Sequence, residues 1–219
     1  MITWDVLVVT IPQRHEYLCA LLAEFDRQQQ GAEGFGVIAY RTRKLAVEDP
    51  EARLARKMQV LLEASRAEYV CHMDDDDRPD PGYVPSIMGA LQARPDYVGF
   101  PVYYTVDGAP QQQVYHSLQH GGWSNHPGVL LRDISHLNPM RRELAVQARF
   151  DEFPDHGADG MWAAALREKG IVRTEEYIDR PMYHYDFRSG QSFLTRKQPW
   201  PYPRLPERPQ YPWLTWIGE

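Results

Sequence analysis

Val6-Leu7-Val8-Val9 is a continuous apolar run, the pattern of a short strand covered on both faces. Thr10-Ile11-Pro12-Gln13-Arg14 ends it. From Arg14 to Gln29 apolar residues fall at Tyr17, Leu18, Leu21, Leu22 and Phe25, a helical spacing. Gly31 to Gly36 reads as a turn, and Val37-Ile38-Ala39-Tyr40 as a second strand. Pro50 to Arg66 is a second amphipathic helix, with Pro50 near its first turn and Leu54, Met58, Leu61 and Leu62 on its buried face. Glu68 to Met73 is a third strand. This alternation with short loops predicts a parallel sheet with right-handed crossovers.

Pro81 to Ala93 reads as a third helix. Tyr97 to Phe100 and Val102 to Tyr104 are strand-like. Asp107-Gly108 signals a hairpin, with Gln113 to Tyr115 returning. Gly128 to Leu131 is a further strand. Gly157 to Lys169 reads as a helix closed by Gly170, and Ile171 to Tyr177 as a strand. From Pro199 prolines alternate with Trp200, Tyr202, Tyr211, Trp213 and Trp216. That pattern excludes a regular helix or an inner strand and suits an extended tail packed through its aromatics.

The chain has 219 residues, enough for a sizeable core, with 43% hydrophobic and 25% charged residues, an ordinary globular composition. No apolar run approaches the roughly 18 residues of a membrane span. The opening Met1-Ile2-Thr3-Trp4-Asp5 has no basic region, so no signal peptide is expected and a cytoplasmic location is. Cys19 and Cys71 sit in apolar patterns on different elements and read as buried free thiols. A net charge of −6 argues against bulk electrostatic attachment to nucleic acid, although a local basic groove stays open.

The third strand runs directly into Asp74-Asp75-Asp76-Asp77. Carboxylates crowded at a strand end repel one another, and solvent or a hard divalent cation relieves the repulsion. Open α/β sheets bind ligands in the crevice at such strand ends. A solvated acidic turn is the plainer reading of the same residues.

Taken together, Leu7 to Arg14, Lys57 to Asp77 and Phe150 to Gly170 resemble the family 2-like glycosyltransferases of the GT-A fold, over roughly residues 4 to 190. Thr10-Ile11-Pro12-Gln13-Arg14 matches that family's Thr/Ser-x-Pro-x-x-Arg. Asp74, Asp76 and Asp77 match its Asp-x-Asp-Asp, with Asp75 at the variable position. Lys57 matches a Lys-Arg-Asn start, with Met58 and Gln59 in place of the other two. The family's Glu-Asp pair is Ala158-Asp159 here. His136-Leu137-Asn138-Pro139 also looks like family sequence, and Tyr183-His184-Tyr185 resembles a segment that gives some members a metal-binding histidine. Arg41-Thr42-Arg43 stands where many members carry a base-reading Asp.

The resemblance implies one α/β domain over residues 1–190, three-layer α/β/α with a mostly parallel central sheet. Its nucleotide-binding half would be about 1–106 and its acceptor half 107–190, followed by an irregular tail at 191–219. It implies transfer of a sugar from a nucleoside-diphosphate sugar, UDP-linked by family habit, to an acceptor hydroxyl with inversion, assisted by Mn²⁺ or Mg²⁺. Asp76, Asp74 and His184 would hold the metal. Thr10, Pro12, Arg14, Arg41, Lys57, Asp74 and Asp75 would contact the donor. Asp159 would be the general base, with Asp155 second. Asp77, Trp123, His126, His136 and Asn138 would support the site or line the acceptor pocket.

Each role has a structural counterpart. Asp159 suits a helix N-cap. His184 suits packing between tyrosines, Trp123 and His126 suit pinning a glycine-rich loop, and Lys57, Arg41 and Arg43 suit solvated surfaces. The acceptor is left open among a glycan, a protein, a small molecule and a modified nucleic-acid base. Two other functions compete. A nucleotidyltransferase would carry a Gly-rich phosphate loop after the first strand, where Thr10 to Arg14 has no glycine. A non-catalytic calcium binder would carry EF-hand spacing, which is absent.

Overall fold

The computed structural model describes residues 1–41, 53–187 and 210–218. Strand β1 (Trp4–Thr10), helix α1 (His15–Gln28), strand β2 (Phe35–Arg41), helix α2 (Leu54–Ala64) and strand β3 (Tyr69–His72) form the opening alternation. β1 lies between β2 and β3 and is parallel to both, as the spacing of apolar runs predicts. Pro50 and Arg43 lie outside the described residues, so the expectations placed on them do too.

Alternation along the strands sends side chains to two apolar clusters. Trp4, Val6 and Val8 join Leu18, Leu21 and Phe25 of α1 in one cluster. Leu7 of β1 joins Ala55, Met58, Leu61 and Leu62 of α2 in the other. Both clusters consist of buried side chains, so β1 must read as an unbroken apolar run rather than an alternating one. Helix α3 (Tyr83–Ala90) adds Tyr83, Val84 and Ile87 to the first cluster.

The second half of the sheet is mixed. The short strand β9 (Met140–Arg141) runs antiparallel between β3 and β5 (Tyr97–Val106). β5 is one continuous strand through Pro101, not two. Proline lacks an N–H, but its carbonyl still accepts from the Met182 amide at 3.1 Å. At the hairpin to β6 (Ala109–His116), Asp107 and Gly108 both take positive φ, 53° and 78°, as an Asp-Gly turn between twisted strands requires. Beyond it lie β7 (Ser124–His126) and β8 (Val129–Arg132), β8 parallel to β6 and β7 antiparallel to β8. Helix α4 (Arg142–Ala145) is one short turn. Helix α5 (Ala158–Lys169) packs Trp162, Ala163 and Leu166 into the second cluster and is closed by Gly170 at φ 61°. Of the strand expected at 171–177, only β10 (Glu175–Tyr177) forms; it and β11 (Tyr183–Phe187) run parallel to β5. The short β4 (Arg78–Pro79) pairs with β11.

The end of the chain departs from the irregular tail expected of it. Leu214–Gly218 forms strand β12, parallel to β2 at the sheet edge. The prolines stop at Pro212, so nothing prevents pairing after it, and an edge is where a proline-flanked strand is tolerated. Tyr211 and Trp213 stack at 4.7 Å and pack on the first cluster. Cys19 and Cys71 are buried free thiols. Among the described residues no helix is long and apolar enough to cross a membrane.

Gly34 marks a close approach that only glycine fits. Its φ is 91°, and an added Cβ would stand 2.1 Å from the Ile2 carbonyl oxygen. Gly34→Ala is expected to cost about 1–3 kcal/mol. Thermal unfolding should show this as a fall of at least about 2 °C in Tm.

Candidate active site

β3 is buried along its whole length, and the four aspartates that follow it form a tight turn in which the Asp77 amide donates to the Asp74 carbonyl at 3.2 Å. Asp75 and Asp77 turn inward and are buried. Asp74 is exposed and Asp76 half-buried. Asp75 is fully enclosed. Its Oδ1 accepts from Arg14 Nη1 at 2.8 Å, and its Oδ2 has no hydrogen-bond partner. The same guanidinium reaches Asp76 Oδ2 at 3.4 Å. Burial pushes the Asp75 carboxyl up from 3.8 to about 7, opposed by Arg14 and helped by Asp76. Asp77 accepts a 2.8 Å hydrogen bond from the Tyr183 hydroxyl, which in turn accepts from the Asp74 amide at 3.3 Å. Burial and Asp77 together push the Tyr183 phenol well up, so it stays a donor.

These aspartates open onto a cleft of about 390 Å³ at the carboxyl ends of β1 and β3. Asp74 and Asp77 form part of one wall. Tyr104 and Tyr185, stacked at 5.6 Å, line it from β5 and β11. Ala55 and Met58 line it from α2, and Arg132, His136 and Asp159 complete it.

The far wall is built on the start of α5. Gly157, at φ 81°, occupies the cap position without a side-chain hydrogen bond. Asp159 stands in the first helical turn, two residues past that cap, so it is not the N-cap. Its Oδ2 lies 3.9 Å from His136 Nδ1. The Trp123 ring packs against Gly160, where an added Cβ would lie 3.2 Å from it. Its Nε1 donates to the Ile134 carbonyl at 2.9 Å, and Arg132 lies 4.8 Å over its face.

No protein-family model matches the chain, and no curated protein matches it in sequence. Solved structures match its shape. The fold is that of S. aureus TarS. The TarS 1–349 crystal structure in complex with UDP-GlcNAc superposes with a TM-score of 0.62 over 87% of this chain and 60% of that one, at 13% identity. The UDP complex gives a TM-score of 0.60, with 84% and 60% covered, also at 13% identity. A further crystal structure of TarS 1–349 gives 0.61 with the same coverage at 12% identity. The chain therefore spans about 60% of the length of those structures.

The expected site residues divide accordingly. Asp74, Asp77, Trp123, His136, Asp155 and Asp159 line one cleft. Arg14, Asp75 and Asp76 sit beside it as a linked charge cluster, with Thr10 buried near Asp75 and Pro12 exposed at the start of a single 3₁₀ turn. Lys57 and Arg41 are buried and are not among the residues that line the cleft, so neither is a solvated surface residue. Asn138 is buried structure: its Oδ1 meets His116 Nδ1 at 2.5 Å and its amide donates to the Val98 carbonyl. His126 is exposed on β7 beside Ser124, off the cleft.

His184 is also off the cleft. Its ring packs on Tyr103 at 4.6 Å, while its strand neighbours Tyr183 and Tyr185 face the aspartates and the cleft. Strand alternation in Tyr183-His184-Tyr185 carried that signal. It also points to Tyr185 as a site residue that the sequence reading omits, together with Tyr104, Arg132, His72 and His116.

Asp155 has a second job. Its two oxygens accept from the Leu54 and Ala55 amides at 3.1 and 3.0 Å, capping α2 from another part of the chain, with Arg53 beside it at 3.4 Å. Asp155→Ala should therefore cost about 0.5–2 kcal/mol in a denaturant melt, with Asp155→Asn losing less. Asp75 yields a pH test. A buried acid whose folded pKa is raised binds its proton more tightly in the native state. Its contribution then falls as pH rises from about 4 to about 7. The stability of Asp75→Asn relative to wild type should therefore increase across that window, measured as Tm against pH.

Proposed function

We propose that this chain is a glycosyltransferase that moves a sugar from a nucleoside-diphosphate sugar, UDP-linked, to an acceptor hydroxyl with inversion. The observation that carries this reading is a single cleft lined by Asp74 and Asp77 on one side and Asp159 on the other. It lies where open α/β sheets bind ligands, in a fold shared with a protein crystallised with UDP-GlcNAc and UDP.

Asp159 takes the proton as the acceptor oxygen bonds to the anomeric carbon, and the sugar–phosphate bond breaks with its electron pair leaving on the diphosphate. Arg14, now spanning Asp75 and Asp76, turns toward the diphosphate oxygens.

The residues present also fit Mn²⁺ or Mg²⁺. Among the described residues no three His, Cys, Asp or Glu side chains converge on a ready metal cage. An ion carried in with a diphosphate takes only one or two carboxylates from the protein, and Asp74 and Asp76 are hard oxygen donors at the cleft mouth, steadied by Asp77 and Tyr183. Such an ion supplies positive charge to the leaving diphosphate. The acceptor stays open, a nucleic-acid base included.

Incubation with UDP-GlcNAc and other sugar nucleotides in Mn²⁺ should release nucleoside diphosphate slowly, with water as acceptor. Release of sugar 1-phosphate, with nucleoside monophosphate in water or nucleoside triphosphate when pyrophosphate is added, would point to a nucleotidyltransferase instead. EDTA should stop the release and added metal restore it; full turnover in metal-stripped buffer removes the cation from the reading. Asp159→Asn should lower turnover about 10²–10⁴-fold. Calorimetric UDP affinity should stay within a few-fold. Wild-type turnover by this variant would sink the base assignment.

A further inference from the structure

His136 is held more firmly than a loop residue needs. Its carbonyl accepts from the His72 amide at 2.7 Å, tying its loop to β3. Phe150 stands edge-on to both imidazoles, 6.5 Å from His136 and 5.2 Å from His72. One residue on, the Leu137 amide donates to the Ser135 hydroxyl, and the Asn138 amide donates to the Ser135 carbonyl. The backbone that carries the ring is therefore fixed, yet the ring's Nδ1 is buried with no hydrogen-bond partner. A buried polar atom left unpaired in the resting protein is costly, which makes a complementary group close to it informative. That group is the Asp159 carboxylate at 3.9 Å, on a different element and across the same cleft.

The other groups around the imidazole do not compete for this role. His72, from β3, is held neutral by burial, and His116, from β6, is held down to about 4 by the same cause. Arg132, from β8, acts on Asp159 and stacks on Trp123.

We propose that His136 is a positioning residue for Asp159. It donates from Nδ1 to Oδ2 once substrate fills the cleft, and leaves Oδ1 turned to the acceptor hydroxyl. The gap of 3.9 Å needs to close by about 1 Å to reach hydrogen-bond length. Catalytic hydrogen bonds commonly tighten in this way when substrate binds. A carboxylate in the first turn of a helix has free rotation about its own side-chain bonds. A donor on a rigid loop removes that freedom at one oxygen and aims the other. No proton is consumed: the imidazole keeps its Nδ1 proton, and the acceptor's proton ends on Asp159.

This inference rests on Asp159 as the base, and the test separates the two. The assay is release of UDP from UDP-GlcNAc in Mn²⁺, alongside calorimetric UDP affinity and Tm. His136→Leu removes the donor, and turnover should fall by up to about 10²-fold with UDP affinity unchanged. An asparagine amide nitrogen falls near Nδ1 and a glutamine one near Nε2, so His136→Asn should recover most of the turnover and His136→Gln should not. The Asn and Gln variants decide the matter if the Leu variant fails to fold. In the histidine ¹⁵N spectrum of the wild type, His136 should carry its proton on Nδ1. Equal turnover by the Asn and Gln variants, wild-type turnover by His136→Leu, or a proton on Nε2 alone would each overturn the proposal. If Asp159→Asn is fully active, the base assignment fails and this inference falls with it. If Asp159→Asn is impaired but the His136 series is flat, only this inference falls.

Discussion

Four carboxylates must leave the end of one buried strand, and the surrounding structure is arranged around their charge. The turn that follows β3 splits them into a buried pair, Asp75 and Asp77, and an outward pair, Asp74 and Asp76. Burying the inward pair costs solvation, and different groups offset each member. Asp75 is met by a guanidinium that begins the first helix of the chain, and Asp77 by a phenol from the eleventh strand. The Asp75 ion pair is not a cheap source of stability, since its burial still holds the carboxyl toward its neutral form. It sets where Arg14 stands, tied to Asp75 and Asp76.

The cleft joins segments far apart in the chain. One wall comes from a parallel sheet, the other from a helix start and a loop pinned to β3. Asp155 shows how the two sides are tied. By accepting from the first amides of α2, it links the segment preceding α5 to the helix whose Ala55 and Met58 line the cleft. Trp123 does the same for the loop before β7, wedged between Gly160 and Arg132. These contacts place Asp159 and His136 on rigid supports on facing parts of the cleft.

Much of this was legible in the residues. The unbroken apolar runs of β1 and β3, the helical spacing of Leu18, Leu21, Leu22 and Phe25, and the Asp-Gly turn each reflect a local rule: period, burial on two faces, or the φ values a turn requires. The aspartate run announced a strand end facing a crevice by the same local logic. Local rules do not say which way a side chain near a strand end points once its neighbours are chosen, or which distant segment meets it. So His184, attractive by its setting between tyrosines, lies away from the cleft, while Tyr104, Tyr185 and Arg132 enter it. Lys57 is buried rather than solvated, and Asp155 caps a helix about a hundred residues before it. The last strand was hidden by the prolines that precede it, because edge pairing depends on a neighbour, β2, that lies remote in sequence. The sequence by itself determined the elements, their order and the chemistry of the residues at their ends. Only the tertiary structure decided which of those residues share one cleft, because that depends on long-range packing that no local pattern encodes.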